Sequence, residues 1–264
     1  MASEATEWAT GIASAQDDDV VIRGYRLSEL VGSITLTGGI FLVWQGRLPS
    51  QKELEVLDAL FVAVLEHGIS PSATISRTLA SAGVPVQAAI AGGILSIGDV
   101  HGGAGEQLAH ALSTVAADPA VPTEAAATAV IDRFANAGER VPGYGHPQHP
   151  DGDPRALALV RYARQRSVAG RYTDVAVAVE DQLSRRRGRP LPMNVDGATA
   201  AILLDLGFSW RMARPLIITA RSAGLAAHVA EEGEQGGRWR HIPRSQVTYT
   251  GPAPASERPE WGRD

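Results

Sequence analysis

Three glycine-containing segments of the chain each contain a side chain that can move a proton or polarise a carbonyl group. The first is His101 followed by Gly-Gly-Ala-Gly, the second is Gly-Tyr-Gly-His146, and the third is Asn-Val-Asp196-Gly. Glycine lets backbone N–H groups approach a ligand closely, and a carboxylate can act as a general base. Each segment alone is a weak signal, because histidines in such loops are often turn or core residues and an Asp at a helix start is often only a cap.

Together, the three segments indicate chemistry at the carbon next to a thioester carbonyl. Making or breaking a C–C bond there passes through an enol or enolate. That intermediate needs a carboxylate for the alpha carbon, a donor for the thioester oxygen and a second donor at the ketone oxygen of the reaction partner. Asp196, His101 and His146 have the required side chains. A 2-oxo diacid would also need arginines to bind its carboxylates.

The elements that must position these side chains follow the helical period. Apolar residues recur at three- and four-residue steps, Asp153-Pro154 has the form of a helix start, and Gly138 follows a helix end. Strand-like alternation is limited to residues 34–36 and 246–249. The sequence therefore predicts an all-α fold, with helices from Ser50, over 72–82, 85–97, near 108–116, over 123–137, from Pro154, near 172–183, and over 197–206 and 210–231.

The composition excludes several classes of protein. Hydrophobic residues make up 44% of the 264 residues and aromatics only 5%, which favours closely packed helices. The net charge of −5 argues against nucleic-acid binding. With no cysteine, disulfides, thiolate zinc sites and cysteine nucleophiles are excluded, and the histidines lack the spacing of metal ligands. Without a basic leader or a long apolar run, the expectation is a cytoplasmic protein that does not enter a membrane.

In sequence order, these segments resemble the signatures of the citrate synthase superfamily. The resemblance covers about residues 22–251. Within it, residues 92–99 and 40–49 are similar to the citryl-CoA lyase module at the end of ATP-citrate lyase. The matching segments are His101-Gly-Gly-Ala, Gly143-Tyr-Gly-His146 with Asp153-Pro-Arg155, Asn194-Val-Asp196, Glu66-His67-Gly-Ile-Ser-Pro-Ser, Ala220-Arg221-Ser-Ala-Gly-Leu-Ala-Ala-His228, and Pro243-Arg244 through Tyr249-Thr-Gly251.

The resemblance implies a role for each of the three proton-moving side chains. His101 would polarise the thioester carbonyl, Asp196 would exchange a proton with the alpha carbon, and His146 would face the carbonyl or hydroxyl oxygen of the oxaloacetate part. In the lyase direction His146 would accept the tertiary hydroxyl proton and Asp196 would protonate the enol of acetyl-CoA. No cofactor is expected beyond the coenzyme A thioester itself.

The resemblance also implies how the substrate is bound and how the chain is organised. His67, Arg155 and Arg221 would hold the carboxylates, and Arg244 would come from the partner subunit of a homodimer. The expected domains are a large helical one over 20–101 and 194–251, a small CoA-binding one over 102–193, a flexible acidic arm over 1–19 and a flexible tail over 252–264.

The expected activity is cleavage of citryl-CoA to acetyl-CoA and oxaloacetate, because the chain lacks most of the N-terminal helical region of full-length synthases. Alternatives are a short citrate or 2-methylcitrate synthase, a lyase acting on a related acyl-CoA and 2-oxo acid, and, least favoured, a non-catalytic CoA-binding protein. Pro150 stands where many synthases have an arginine for the CoA phosphates, so these contacts must differ. The basic run 185–189 could bind the phosphates, although such a run is more often a solvated helix end.

Overall fold

The computed structural model describes residues 8–146, 149 and 151–252. In this part of the chain the architecture is helical, which confirms the predicted all-α class. Pro150, residues 1–7 and nearly all of the predicted tail lie outside the described residues. The helices are α1 (Leu27–Leu30), α2 (Leu36–Gln45), α3 (Gln51–Val64), α4 (Pro71–Ser81), α5 (Val86–Leu95), α6 (Ala104–Val115), α7 (Thr123–Asn136), α8 (Pro154–Gln165), α9 (Arg171–Arg187), α10 (Val195–Asp205) and α11 (Ala213–Glu234).

A small antiparallel sheet precedes the helices, and the sequence did not predict it. Its strands are β1 (Ala13–Ala15), β2 (Val20–Ile22) and β3 (Tyr25–Arg26), in the order β1-β2-β3. β1 therefore lies within the segment expected to be a flexible arm. The turn between β2 and β3 is Arg23-Gly24, with φ of 49° and 90°, which is the geometry of a tight two-residue hairpin. Strands of two or three residues are too short for an alternating pattern to reveal them.

Neither stretch of strand-like alternation is a strand. Leu36 is the first residue of α2, and Thr35 caps that helix by accepting a hydrogen bond from the Gly38 N–H. At the other stretch, Arg244–Gln246 form one turn of 3-10 helix. A three- or four-residue alternation is weak evidence for a strand, and here a local helix cap decided the structure instead.

The predicted helix starts are confirmed where the sequence has a capping signal. Ser50 and Glu53 form a capping box at the start of α3. Asp153 caps α8 ahead of Pro154, and Asn194 caps α10 by accepting from the Asp196 and Gly197 N–H groups. The last predicted helix divides, since Trp210–Met212 form a 3-10 turn and α11 begins only at Ala213.

The centre of the helical core is α10, which is buried on every side from Gly197 to Leu204. It packs against α6, α8 and α9, while α7 packs against α9. A helix that is apolar all round is typical of the interior of a protein. Since α10 also contains Asp196 in its first turn, that carboxyl group is mounted on the most enclosed element of the fold.

A second group of helices, α4, α5 and α11, packs together beside this core. α4 and α5 approach so closely that a Cβ on Gly93 would lie 2.8 Å from the Ser72 carbonyl oxygen. No helix of the described residues is both long and apolar enough to cross a bilayer. The division of the chain into a large and a small domain stays a prediction.

The chain after α11 turns back onto α4. The Trp239 N–H donates to the Ser81 carbonyl oxygen at 3.0 Å, and the Arg240 N–H donates to Ser81 Oγ at 2.9 Å. Below these bonds the buried Glu232 carboxylate pairs with Arg77 at 2.8 Å and with Arg240 at 2.6 Å. The start of the segment that leads to Arg244 is thus fixed to the helical core.

Candidate active site

One cavity of about 500 Å³ brings together six of the seven site residues predicted from the sequence. It lies between the C-terminal end of α3, the loop before α6, the loop at 143–146 and α11. The predicted residues that line it are His67, His101, His146, Arg155, Asp196 and Arg221. The roles assigned to them remain predictions, but their convergence satisfies the geometric condition for a shared reaction site.

The first turns of four helices face this cavity. Its lining includes residues at the start of α4, α6, α8 and α10, namely Pro71 and Ser72, Ala104, Arg155, and Val195 and Asp196. Helix N-termini present unpaired N–H groups and a positive end of the peptide dipole. The cavity therefore favours a ligand with negative charge, such as a compound with several carboxylates.

His101 is held in a tight turn by glycines on both sides. The His101 N–H donates to the Gly98 carbonyl oxygen at 3.1 Å, and the Gly98 N–H donates back to the His101 oxygen at 2.9 Å. Gly102 has a φ of +82°, and a Cβ on Gly103 would lie 2.6 Å from the Asp99 Cα. Only glycine fits these two positions without strain, which explains the Gly-Gly pair after the histidine.

Ser72 fixes the ring of His101 and was not singled out by the sequence. Its buried Oγ lies 3.1 Å from His101 Nε2, which leaves Nδ1 for a ligand. Burial lowers the pKa of His101, and the positive charge of Arg221 lowers it further. A neutral imidazole held in this way can donate one N–H to a carbonyl oxygen without becoming an acid itself.

The loop that contains His146 is hydrogen-bonded to the start of α10. The Gly145 N–H donates to the Pro192 oxygen at 2.7 Å, the Asn194 N–H donates to the Gly143 oxygen at 2.9 Å, and Asn194 Nδ2 donates to the Gly145 oxygen at 2.8 Å. These bonds join the second and third sequence segments into one unit. The relative placement of His146 and Asp196 is therefore set by the hydrogen bonds of the neighbouring backbone and of Asn194, and does not depend on a contact between the His146 and Asp196 side chains.

His146 and His67 face each other across the cavity. Their rings meet edge to face with centroids 5.6 Å apart. Burial lowers the pKa of His67, as do the charges of Arg155, His146 and Arg221. Burial also lowers the pKa of His146, and this outweighs the opposing effect of the Asp153 carboxylate. Both imidazoles are thus biased toward the neutral form, in which a ring nitrogen can accept a proton.

Asp196 is the second residue of α10, and its carboxyl group reaches the cavity from a largely enclosed position. Burial raises its pKa; the Asp153 charge also raises it, whereas Arg155 and Arg221 act in the opposite sense. A raised pKa is typical of a carboxyl group that acts as an acid and base near neutral pH.

Two arginines contribute the positive charge of the cavity. Arg155 forms a two-pronged pair with the buried Asp153 carboxylate, with an Nη2 to Oδ2 distance of 2.9 Å. Arg221 is buried on α11 and its Nη1 lies 3.5 Å from Ser70 Oγ. Burial lowers the pKa of Arg221, and the nearby Glu66 carboxylate raises it. A dicarboxylate bound here would meet two guanidinium groups, the geometry that suits carboxylates best.

Arg244 is the one predicted site residue outside the cavity. It begins the exposed 3-10 turn of the segment that follows α11. A second cavity of about 620 Å³ adjoins the first through Gly145 and His146, and it is lined by Arg140 and Arg187. Arg187 belongs to the basic run noted in the sequence. Within the described residues, no group of three or more histidine and acidic side chains is arranged to hold a metal ion.

Comparison with known proteins identifies relatives of the chain. The pattern described as "Citrate synthase, C-terminal domain" matches residues 52–244. A protein of Mycobacterium tuberculosis named "Putative citrate synthase 2" is 34% identical over 229 residues, which covers 84% of this chain and 58% of that protein. The glyoxysomal citrate synthase of Cucurbita maxima is 31% identical over 77% of this chain and 39% of its own length. The match thus covers 58% of the length of the first of these relatives and 39% of the second.

Solved structures match over nearly the whole chain. Citryl-CoA lyase from Hydrogenobacter thermophilus has a TM-score of 0.87 and 34% identity, with 95% of this chain and 97% of that chain covered. ATP citrate lyase from Methanothrix soehngenii shares the fold, with a TM-score of 0.79 at 21% identity over 95% of this chain and 43% of its own. By sequence pattern, identity and fold, the chain belongs to the citrate synthase family.

Proposed function

We propose that the protein is a citryl-CoA lyase, which cleaves citryl-CoA to acetyl-CoA and oxaloacetate. The observation that supports this most directly is that His101, His146 and Asp196 line one cavity. The pKa values of the two histidines are lowered there and that of Asp196 is raised. The match to the Hydrogenobacter thermophilus lyase, at 34% identity over 97% of that chain, favours the lyase reaction over others of the family.

In the proposed reaction each of the three groups has one task. His146 accepts the proton of the tertiary hydroxyl, the C–C bond breaks as that oxygen becomes the ketone of oxaloacetate, and the bonding electrons form the enolate of acetyl-CoA. His101 donates a hydrogen bond to the thioester oxygen, where negative charge develops. Asp196 then gives its proton to the carbon. A carboxyl group biased toward its protonated form is in the state that this direction requires.

The remaining lining residues would bind the two ends of the substrate. Arg155, Arg221 and His67 would hold the carboxylates of the oxaloacetate part. The adjoining cavity, with Arg140 and Arg187, would receive the phosphates of coenzyme A. Within the basic run, Arg185 and Arg186 pair with Glu124 and Asp132, and Arg187 lines this cavity. Arg187 on α9 would then supply the positive charge for the CoA phosphates that is missing at Pro150, where many synthases have an arginine.

A citrate or 2-methylcitrate synthase is the second candidate, because the curated relatives have synthase names. One assay separates the two activities. Purified protein is incubated with citryl-CoA, and oxaloacetate and free thiol are followed together. Oxaloacetate without thiol is the result expected of a lyase, and thiol release would show the hydrolysis that completes a synthase reaction. If neither product forms, citryl-CoA is not the substrate and the proposal is wrong.

A further inference from the structure

The buried Asp153 carboxylate does not line the active-site cavity, but it is hydrogen-bonded to Arg155 and Val195, which do. The Asp153 side chain is fully enclosed, and both of its oxygens are engaged. Oδ1 accepts from the Arg155 backbone N–H and from Arg155 Nε, each at 3.0 Å. Oδ2 accepts from Arg155 Nη2 and from the Val195 N–H, each at 2.9 Å. A helix cap needs only the first of these bonds, so the other three require another explanation.

The bonds to Arg155 set the direction of its guanidinium group. With Nε and Nη2 directed at Asp153, the guanidinium plane is fixed and its Nη1 edge is left for a ligand. An arginine pre-oriented by a bidentate pair loses little side-chain entropy when it binds a carboxylate.

The bond to Val195 acts on a different element. Val195 is the first residue of α10, and its N–H is one of the donors that a helix leaves unpaired at its start. Asn194 accepts from the next two N–H groups, those of Asp196 and Gly197. Asp153 therefore completes the anchoring of the turn that contains Asp196.

The charge of Asp153 also reaches the reacting groups. Although burial pushes its pKa up, the hydrogen bonds from Arg155 and from the Val195 N–H hold that pKa below the ordinary value, so Asp153 stays ionised. Its negative charge adds to burial in raising the pKa of Asp196, and it opposes the lowering of the pKa of His146. Two nearby carboxyl groups with opposite shifts are typical of a site in which one is fixed and the other moves a proton.

Other charged groups face Asp196 from the elements around it. Arg155 on α8 and Arg221 on α11 lower its pKa. His67, His101 and His146 line the same cavity, and burial favours their neutral forms. Among the described residues, the acidic group whose charge raises the pKa of Asp196 is Asp153.

We infer that Asp153 is a positioning residue for the reaction, which holds the Arg155 guanidinium and the Asp196-bearing start of α10 as one rigid unit and supplies a fixed negative charge to both. This inference rests on the proposed function, because it assigns Arg155 to the oxaloacetate part and Asp196 to the proton transfer.

Asp205 offers a matched control. Its carboxylate also makes four hydrogen bonds at a helix start, to the Gly170, Tyr172 and Thr173 N–H groups and to Thr173 Oγ, at 2.6 to 3.0 Å. It anchors α9 at the far end of α10 and does not line the cavity. Asp153→Asn and Asp205→Asn therefore remove equivalent structural bonds, but only the first touches the site.

The test compares the two variants with the parent in both reaction directions. In condensation, Asp153→Asn should raise the KM for oxaloacetate by about tenfold or more while the KM for acetyl-CoA changes little, because only the carboxylate clamp is disturbed. In cleavage, loss of the negative charge lowers the pKa of Asp196 and of His146, so both limbs of the pH–rate profile should move to lower pH. Asp205→Asn should lower the thermal midpoint but keep both KM values and the parent profile.

The possible outcomes separate this inference from the proposed function. A parent protein that converts neither citryl-CoA nor acetyl-CoA with oxaloacetate would remove both. An active parent in which Asp153→Asn keeps the parent's KM values and pH profile, or changes them as Asp205→Asn does, would overturn the inference alone. If Asp153→Asn does not fold, Asp153→Ser replaces it, since serine still caps α8 without a charge. Failure of both to fold beside a folded Asp205→Asn would assign Asp153 to folding and also overturn it.

Discussion

Burial shifts the pKa values of the ionisable groups in the cavity away from their ordinary values. The pKa values of His67, His101 and His146 are lowered mainly by burial, whereas that of Asp196 is raised mainly by burial. Burial therefore pushes all four groups toward their uncharged forms, and at Asp196 it outweighs the opposing positive charges of Arg155 and Arg221. A neutral acid and neutral imidazoles are the forms that cleavage next to a thioester needs.

Replacing Asp196 by Asn should abolish turnover and leave the helical circular dichroism signal intact. The amide has nearly the same shape but cannot donate or accept the proton. Parent-like turnover would remove Asp196 from the proposed role.

The same variant should gain stability relative to the parent as the pH rises. Because the pKa of Asp196 is higher in the folded protein than in the unfolded chain, its contribution to stability is complete only below the unfolded pKa of about 3.9, and is lost as pH rises toward the folded value. The Asp196→Asn variant has no ionisable group at this position, so it does not lose this contribution to stability as the pH rises. Thermal midpoints of both proteins measured from about pH 4 to pH 8 would check this, because the change begins just above the unfolded pKa. A difference that stays constant or shrinks over that whole range would contradict it.

Most of the site could be predicted from the three glycine-containing segments and from the resemblance to a known family, and the rest could not for physical reasons. Arg155, His67 and Arg221 were expected beside the three reacting side chains, and all line the cavity. Ser72 gave no signal, because a serine in the first turn of a helix is common and its contact with His101 depends on packing across 29 residues. Asp153 was expected to cap a helix and belongs to one of the matching segments, but the sequence cannot show that its second oxygen reaches α10.

At the scale of elements, a pair of glycines determines how closely the His146 loop approaches α10. A Cβ on Gly197 would lie 2.5 Å from the Gly143 oxygen and 2.7 Å from Met193 Cγ. Gly143 itself has a φ of +85°. The loop and the helix can be joined by hydrogen bonds only because neither position has a side chain.

Gly197→Ala should therefore destabilise the protein, although alanine is the better helix former. The gain in helix propensity is about 1 kcal/mol, while overpacking against backbone costs roughly 1–3 kcal/mol and shifts His146 relative to Asp196. We expect a lower thermal midpoint and a reduced kcat. Gly233→Ala on α11 is the matched control, because nothing lies within 4 Å of its added Cβ. An equal response of the two variants would show that the close approach is not what requires glycine.

Three helix starts were predictable because they have capping residues that act locally. The Ser50–Glu53 box, the Asp153–Pro154 start and the Asn194 cap each satisfy N–H groups within three residues. The sheet at residues 13–26 was not predictable in this way, since its pairing depends on contacts between short segments with no apolar alternation.

At the scale of the whole molecule, the exposed surface of the single chain includes large apolar side chains on α4 and α5. Ile75, Val86 and Leu95 are 38%, 61% and 85% exposed. Val86 and Leu95 are nine residues apart on α5 and so lie on opposite sides of that helix, and singly exposed apolar residues do not mark an interface. The homodimer in which Arg244 of the partner subunit completes each site stays a prediction.

Co-expression of two inactive variants can test that prediction. Arg244→Ala should lose most activity, and Asp196→Asn should lose all of it. In a hybrid dimer, one site has Asp196 together with Arg244 from the other subunit, so equal mixing should restore about one quarter of the parent activity if the sites are completed across a two-fold interface. Each variant alone is the control. No recovery in a hybrid shown to form by mass spectrometry would place Arg244 outside the neighbouring site.

The contacts of Trp239 and Arg240 with Ser81 have a consequence for how Arg244 could reach a second subunit. A freely moving chain end would spend most of its time away from any target, and binding would cost the entropy of ordering it. Here the bonds to Ser81 already order the chain at Arg240, four residues before Arg244, when the protein folds. Part of the entropic cost is therefore met before any second subunit binds. In the predicted homodimer, the local concentration of the Arg244 guanidinium near the neighbouring subunit would be correspondingly higher. Ser81→Ala would remove the bond from the Arg240 N–H. In the predicted homodimer we expect a weaker substrate affinity, measured as a higher KM for oxaloacetate, with every cavity residue still in place.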